Sequence, residues 1–352
     1  MSTATAVFDF KLPPELEAHE PPEARGLTRD GVRLLVSYLN SDRIVHARFA
    51  DLPTFLRPGD LLVVNVSATL PAALTAHRGD GADITMHVST RLPAGLVVAE
   101  FRTVNVSAGE AFALPVGGSA VALAPYPGST RLWLARLDLP EPLLSYLARW
   151  GRPIAYPYVR GRWPIEMYQN VYATVPGSAE MPSAGRPFTP QIIEELTRRG
   201  VFVSSVLLHT GVASLERDEP PYAEYFEVPH ETALAVQRTK RALDPSAASG
   251  GREGRGRVIA VGTTVVRALE SSVDTAGRSM ASRGWTDLII TAQRGVRIVD
   301  GLLTGFHEPK ATHLALLEAI AGRAHVQRAY RAALDTGYLW HEFGDLHLIL
   351  PD

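Results

Sequence analysis

The segment VIAVGTTVVRALES, beginning at Val258, has residue types and spacing that suit anion binding. Four apolar residues, Val258 to Val261, predict a buried strand. Gly262 then lets the backbone turn tightly, and Thr263 and Thr264 stand where a helix begins, a threonine there being able to cap a free N–H. A helix start presents unpaired N–H groups and a partial positive charge. Arg267 adds a full positive charge, placed by this reading in the first turn and against the helix dipole, so the position asks for an anionic partner. Two partners fit: Glu270, three residues on, as an intrahelical salt bridge, or the carboxylate or phosphate of a ligand seated at the helix start. No other motif competes. G-x-G-x-x-G, Walker A and H-E-x-x-H patterns are all missing.

Positioning such a turn takes a sheet, and the pattern around it supplies one. RLLVSYL, DLLVVNV, VFVSSVLLHTG, TDLIIT and DLHLIL read as strands. TPQIIEELTRRG reads as a helix with Thr189 as cap, Pro190 at its first position and Gly200 past its end. A long helix is expected over roughly Ala311 to Ala333. Strands alternating with helices imply an α/β core. Between about residues 72 and 148 the texture changes to short β runs (ADITMHVST, GLVVAEFRTVNV, AFALPV, SAVALAPY, TRLWLARLDL) separated by Gly, Pro, Asp and Ser, which suggests a small inserted barrel or sandwich. The expected organisation is therefore a discontinuous α/β core, residues 1–71 and 149–352, carrying an inserted β-barrel, residues 72–148.

The 352 residues are 46% hydrophobic and 20% charged, ordinary for a globular protein. With no cysteine, disulfides and thiolate metal sites are excluded. No long apolar run or signal-peptide pattern is present, so no membrane association is expected and the cytoplasm is the simplest location. A net charge of −2 gives no global footprint for nucleic acid, so any such contact needs a local basic patch. Arg160 and Arg162 near Trp163 form one candidate. The Gly-, Ser- and Arg-rich stretch from Arg238 to Arg257 is another, as a basic arm or, more plainly, a solvated loop.

VIAVGTTVVRALES, GWTDLII, VDGLLTGFHEPKATHL and YLWHEFGDLHLIL, together with FDFKLPPELEAHEPPEAR, LRPGDLLVVNVSATLPAAL, PIAYPYVR, YQNVYA and MPSAGRPFTPQIIEEL, resemble the S-adenosylmethionine:tRNA ribosyltransferase-isomerase family of queuosine biosynthesis. The matches keep their order over most of the chain. The resemblance implies a discontinuous α/β core with a small barrel. It also implies that the ribosyl part of S-adenosylmethionine, rather than the methyl group, is donated to a 7-aminomethyl-7-deazaguanine base in tRNA. Adenine and methionine are released, the product is epoxyqueuosine, and no metal is required. Such chemistry needs a general base, an anchor for the methionine carboxylate and donors toward adenine. By match to the family's motifs, His209, Glu224 and His307 are the catalytic candidates, and Gly262, Thr263, Thr264, Arg267, Tyr168 and Gln169 the co-substrate-binding ones. His209 also has a plain reading as a strand-end histidine satisfied by its neighbours.

The chain departs from the family pattern in four places. The family's N-D-T-R is Asn65-Val66-Ser67-Ala68, and its P-T-A-G-L-H-F is Pro182-Ser183-Ala184-Gly185-Arg186-Pro187-Phe188. Its M-H-S-E is Pro221-Tyr222-Ala223-Glu224, and the loop between Leu215 and Pro221 is shorter. The Gly262–Arg267 turn is intact. Three expectations follow: the family reaction on tRNA, adenosylmethionine ribosyl-transfer or lyase chemistry on a small-molecule acceptor, or a non-catalytic relative that binds adenosylmethionine or RNA.

Overall fold

Leu61–Asn65 and Val258–Val261 are apolar at nearly every position, and a strand with such a sequence must be covered on both faces. The computed structural model, which describes residues 8–102, 105–212, 222–241, 256–309 and 311–352, places both strands at the centre of a mixed sheet. The chain runs through β1 Arg33–Tyr38, β2 Ile44–Arg48, β3 Leu61–Asn65 and the short β4 Ser67–Thr69. Six strands follow: β5 Ala73–Arg78, β6 Asp83–Arg91, β7 Leu96–Phe101, β8 Ala111–Ala113, β9 Ser119–Pro125 and β10 Leu132–Asp138. Next come α1 Leu143–Trp150, β11 Val175–Ser178, α2 Pro190–Arg198, β12 Phe202–Leu208, β13 Glu224–Val228 and α3 His230–Arg241. The chain ends with β14 Val258–Val261, α4 Thr263–Ser271, β15 Ser282–Thr286, β16 Gly301–Gly305, α5 Thr312–Ala321, α6 Arg323–Asp335 and β17 Leu346–Leu350.

Among the described residues, nine strands form one sheet in the order β15-β13-β12-β3-β14-β16-β17-β1-β2. β12, β3, β14 and β16 are mutually parallel neighbours. Alternation along β3 and β14 sends Leu61, Val63, Val258 and Ala260 into one core and Leu62, Val64, Ile259 and Val261 into the other. The α/β reading therefore holds.

The six strands β5–β10 close into a barrel, in the order β10-β7-β6-β5-β8-β9. Its interior mixes bulky and small side chains, Met86, Phe101 and Phe112 against Ala76, Ala99, Ala120, Ala122 and Ala135. Phe101 and Phe112 stack at 4.6 Å. Five of these strands lie in the β runs read from the sequence. β5 was missed, because AALTAHR offers little branched or aromatic character. Residues 143–148, assigned to the β segment, belong to α1.

Thr189 caps α2 as expected, accepting the Ile192 N–H at 3.2 Å. Three other expectations are corrected. The long helix is two, α5 and α6, broken at Gly322 (φ 75), a left-handed conformation that interrupts the helix. The strand expected at TDLIIT lies earlier: pairing of β15 with β13 stops at Thr286, where the side chains of Thr286 and Ser271 bond at 2.6 Å. The first residues of β12 are exposed, Phe202 by 63%, so only its second half is the buried strand expected. Of the Arg238–Arg257 stretch, Arg238–Arg241 ends α3, and Arg257 is buried on Asp60 (Nη2 to Oδ2 2.6 Å); residues 242–255 lie outside the described residues.

The barrel meets the sheet through polar side chains. His87 and Glu100 alternate with barrel-core residues and point outward, yet both are buried. Glu100 accepts from His87 at 2.8 Å and from Arg131 at 2.9 Å, and Arg131 also reaches the Val212 carbonyl at 3.3 Å. Burial pushes the Glu100 carboxyl up, but His87 and Arg131 outweigh it and hold its pKa at about 2. A carboxylate depressed this far stabilises the fold fully above its unfolded pKa near 4.5, and that stabilisation is lost as pH falls toward 2. Glu100→Gln is therefore expected to cost roughly 3 kcal/mol at pH 7, with the deficit shrinking as pH approaches 2. Urea unfolding at pH 7 and pH 3 measures this, and a deficit independent of pH would contradict it.

Candidate active site

At the carboxyl ends of β3, β12, β14 and β16 the backbone ladder gives way to side chains, and a two-lobed cleft opens. In open α/β sheets ligands sit in this place. Asn65, the last residue of β3 and 1% exposed, sets the opening. Its Oδ1 accepts the N–H groups of Leu208 (3.0 Å) and Ser67 (3.1 Å), and its Nδ2 donates to the Leu208 carbonyl (2.8 Å) and Thr264 Oγ1 (3.4 Å). One amide thus continues the β3–β12 pairing and ties it to the start of α4.

The first lobe, about 260 Å³, is lined by the turn singled out in the sequence, Gly262, Thr263, Thr264 and Arg267, together with Glu180, Tyr222, Glu224 and His313. Gly262 has φ 91, strained for any residue with a Cβ, and its N–H bonds Leu303 at 2.8 Å. The expected threonine cap is absent: Gly262 itself is the N-cap, and no side chain caps the helix. The N–H groups of Thr263 and Thr264 have no intrahelical partner and form the donor end of α4.

Arg267 is the fifth residue of α4, past the first turn, and it does not pair with Glu270. Its Nη1 forms an ion pair with Glu224, its Nη2 donates to the Thr286 carbonyl at 3.0 Å, and its Nε to that of Leu288 at 3.3 Å. Glu224 also accepts the Gly211 N–H at 2.9 Å. Glu270 is taken by Arg294 at 3.0 Å and by the N–H groups of Arg297 and Ile298, both at 2.8 Å. Two predicted site residues, from separate groups and 43 positions apart, are thus one pair.

The second lobe, about 170 Å³, shares Glu180, Met181, Ser183, Gly305 and His313 with the first. It adds Tyr156, Tyr158, Tyr168, His307, Glu308, His341 and Glu342. His307 Nε2 lies 3.0 Å from Thr304 Oγ1, and its ring stacks on His313 at 4.7 Å and 5°. Burial and the neighbouring histidines hold His307 well below the usual imidazole range. Loss of bulk water and the charge of Arg267 bring His313 to about 4. His313 lies within the motif VDGLLTGFHEPKATHL but was missed. Only the fold shows that it borders both lobes.

Tyr168 lines the second lobe, whereas Gln169 braces the wall behind it. The Gln169 Nε2 donates to the Thr69 carbonyl at 2.7 Å and its Oε1 accepts the Thr69 N–H at 3.0 Å. His209 lines neither lobe. Its Nδ1 is 2.7 Å from Ser67 Oγ, a Cβ at Gly177 would lie 2.2 Å from its ring, and burial with nearby Arg91 lowers its pKa to about 4. Of the four replaced positions, only Tyr222 faces the cleft. It packs over Gly211, its Oη 2.7 Å from Ser89 Oγ on the barrel and donating to the Val212 carbonyl at 2.9 Å. Val66 precedes β4, Ala68 lies within it opposite Pro176 of β11, and Pro187 is buried beside Arg186. The loop between Leu215 and Pro221 lies outside the described residues.

Two outcomes test this geometry. Asn65→Ala leaves buried Leu208 polar groups unpaired and is expected to destabilise by about 3 kcal/mol in chemical denaturation, against under 1 kcal/mol for an ordinary surface change. Arg267→Met strands a carboxylate that is only 12% exposed, so it is expected to cost about 3 kcal/mol, and adding Glu224→Leu should restore most of that loss. Strictly additive effects in the double variant would mean that the pair is not coupled.

A family model described as queuosine biosynthesis protein matches residues 5–349. A Thermotoga maritima protein named S-adenosylmethionine:tRNA ribosyltransferase-isomerase is 36% identical over 351 residues, covering 97% of this chain and 98% of the relative. A Thermus thermophilus protein of the same name is 37% identical over 362 residues, with the same coverage. The crystal structure of S-adenosylmethionine tRNA ribosyltransferase from Thermotoga maritima superposes with a TM-score of 0.54 at 32% identity, covering 97% of this chain and 99% of that one. By sequence over nearly its whole length, and by fold, the chain belongs to the queuosine biosynthesis protein family.

Proposed function

We propose that the protein transfers and isomerises the ribosyl moiety of S-adenosylmethionine onto a 7-aminomethyl-7-deazaguanine base in tRNA, releasing adenine and methionine. The observation that carries this reading to the site is electrostatic. Among the described residues lining the two lobes, Glu180, Glu224, Glu308 and Glu342 face a single arginine, Arg267, and that arginine already neutralises Glu224. Such a cleft favours cations. Adenosylmethionine brings a sulfonium and an ammonium, and the acceptor base brings an aminomethyl group. A free phosphate would be repelled.

In this reading adenosylmethionine occupies the first lobe. Its carboxylate meets the donor end of α4 at Thr263 and Thr264. Glu224, fixed by Arg267 and Gly211, accepts from the ribose hydroxyls. The sulfonium acidifies the neighbouring C5′ protons. A base removes one, adenine leaves, and methionine departs after the amine attacks. His307 and His313, held neutral by their surroundings, are the proton acceptors where the lobes meet. His209 acts from behind the cleft, holding β4 through Ser67. Arg160 and Arg162 are exposed and available to phosphates, while Trp163 packs with Val159 and Tyr168.

The small-molecule and non-catalytic alternatives are not favoured. The relatives carry the tRNA ribosyltransferase-isomerase name over matching lengths, and three of the four replaced positions lie off the cleft. No described helix is long and apolar enough to cross a membrane. Incubation with adenosylmethionine, with and without tRNA bearing the precursor base, followed by mass analysis, tests the reading. Adenine, methionine and the modified nucleoside are expected together and only with that tRNA. Adenine release at the same rate without tRNA would favour the lyase alternative.

A further inference from the structure

The proposed chemistry places adenosylmethionine in the first lobe and leaves unexplained a constellation that lines only the second. Glu342 is half-buried, loss of water raises its pKa above the usual carboxylate range, and its Oε2 accepts the Tyr158 hydroxyl at 2.6 Å. Tyr158 lies flat on His341, with ring centroids 3.9 Å apart and planes 14° apart, and stacks more loosely on Tyr156 at 5.8 Å. His341 has φ 74, a left-handed backbone that a histidine adopts at a cost. Its side chain is 5% exposed, and its Nε2 has no hydrogen-bond partner, the nearest carboxylate oxygen, on Glu17, standing 3.6 Å away. Packing alone asks for neither a strained histidine nor a carboxyl set among aromatic rings. The strain holds the His341 ring against Tyr158, and Tyr158 in turn aims at Glu342.

The neighbouring lobe dictates what this carboxylate faces. The nucleophilic amine of the acceptor must reach the ribosyl donor, so it points toward the shared wall at His313. In a 7-deazaguanine the aminomethyl arm sits on the five-membered ring, and the N1–H and N2–H donors lie on the opposite edge of the bicycle. A base entering arm-first toward the junction therefore turns that donor edge to the far wall. We propose that the second lobe is the pocket for the acceptor base, with Glu342 accepting its N1–H and N2–H and the tyrosine wall flanking its ring. The pairing is that of a carboxylate with two parallel donors, and it is selective because an unmatched edge would leave the carboxylate with the Tyr158 hydroxyl and no donor from the base. Tyr158 and His341 are positioning residues for Glu342.

This assignment rests on the proposed tRNA reaction, and one set of measurements separates the two. Full-length Glu342→Gln keeps the shape but turns an amide N–H₂ toward the base's donors. The expected result is a KM for precursor-bearing tRNA raised about 100-fold, with kcat changed less than about threefold. Adenosylmethionine affinity, measured calorimetrically without tRNA, should be unchanged, and calorimetric binding of the free base 7-aminomethyl-7-deazaguanine should be lost. Tyr158→Phe, which keeps the ring and removes the hydroxyl, is expected to shift KM in the same direction by about tenfold, and it stands in should Glu342→Gln fail to fold. An active wild type whose KM is untouched by both substitutions would overturn the pocket assignment alone. So would weakened adenosylmethionine binding with an unchanged tRNA KM, which would give the lobe to the other substrate. A wild type inert on precursor-bearing tRNA would overturn the functional reading and the pocket with it.

Discussion

The cleft depends on one buried amide. β3 and β12 pair in parallel through Val206 and Asn65, and a continued ladder would close the sheet edge. Asn65 instead supplies both a donor and an acceptor to Leu208 from its side chain, so β12 keeps its partner while the β3 backbone turns away into β4. The same amide reaches Thr264, which fixes the start of α4 relative to the two strands. Buried polar groups are tolerated only when satisfied, and this side chain satisfies itself and the strand it touches. The Gly262 turn, the Glu224–Arg267 pair and the His307–His313 stack are all built around that separation of strand ends.

The sequence pattern carried the local features and missed the long-range ones. β3 and β14 were legible because they are apolar at nearly every position, the barrel because short β runs replace mixed texture, and the α2 cap because Thr189-Pro190 is a local signal. The Gly262 turn was legible for the same reason. The partner of Arg267 was not: Glu224 arrives on β13, 43 residues upstream, and the nearer Glu270 had the right spacing but was claimed by Arg294 and two backbone N–H groups. His313 and His341 lay within motifs that drew notice for other residues. Their place in the cleft depends on where α5 and the segment before β17 fold back, which no periodicity encodes. Gly322 carried a break that an otherwise helical pattern concealed.

The replaced positions read differently once placed. In sequence they stood as departures from the family's motifs and left the acceptor open. In space Val66 and Ala68 belong to the strap beside β11, and Pro187 to the buried support behind it. Tyr222 is the exception. It lines the first lobe while holding Ser89 of the barrel and the Val212 carbonyl, and Arg131 joins that same carbonyl to Glu100. A change there bears on how the barrel is held against the cleft as much as on what the cleft contacts.

The charge pattern then fixes how a large anionic acceptor can use a small acidic cleft. The carboxylates lining the two lobes disfavour phosphate, and His307, His313 and His341 add no positive charge near neutral pH, because burial first, and then neighbouring histidines or Arg267, lower their pKa values. A polyanion is therefore held off the lobes along its backbone, and only a group that is itself neutral or cationic gains by entering. A base with an aminomethyl arm meets that condition once it leaves its stack, and the unstacking cost is recovered inside the pocket. Neutral imidazoles beside a sulfonium can take a proton without first losing one. The burial that disfavours phosphate thus also keeps the cleft histidines in the neutral form that the proposed proton transfer would use.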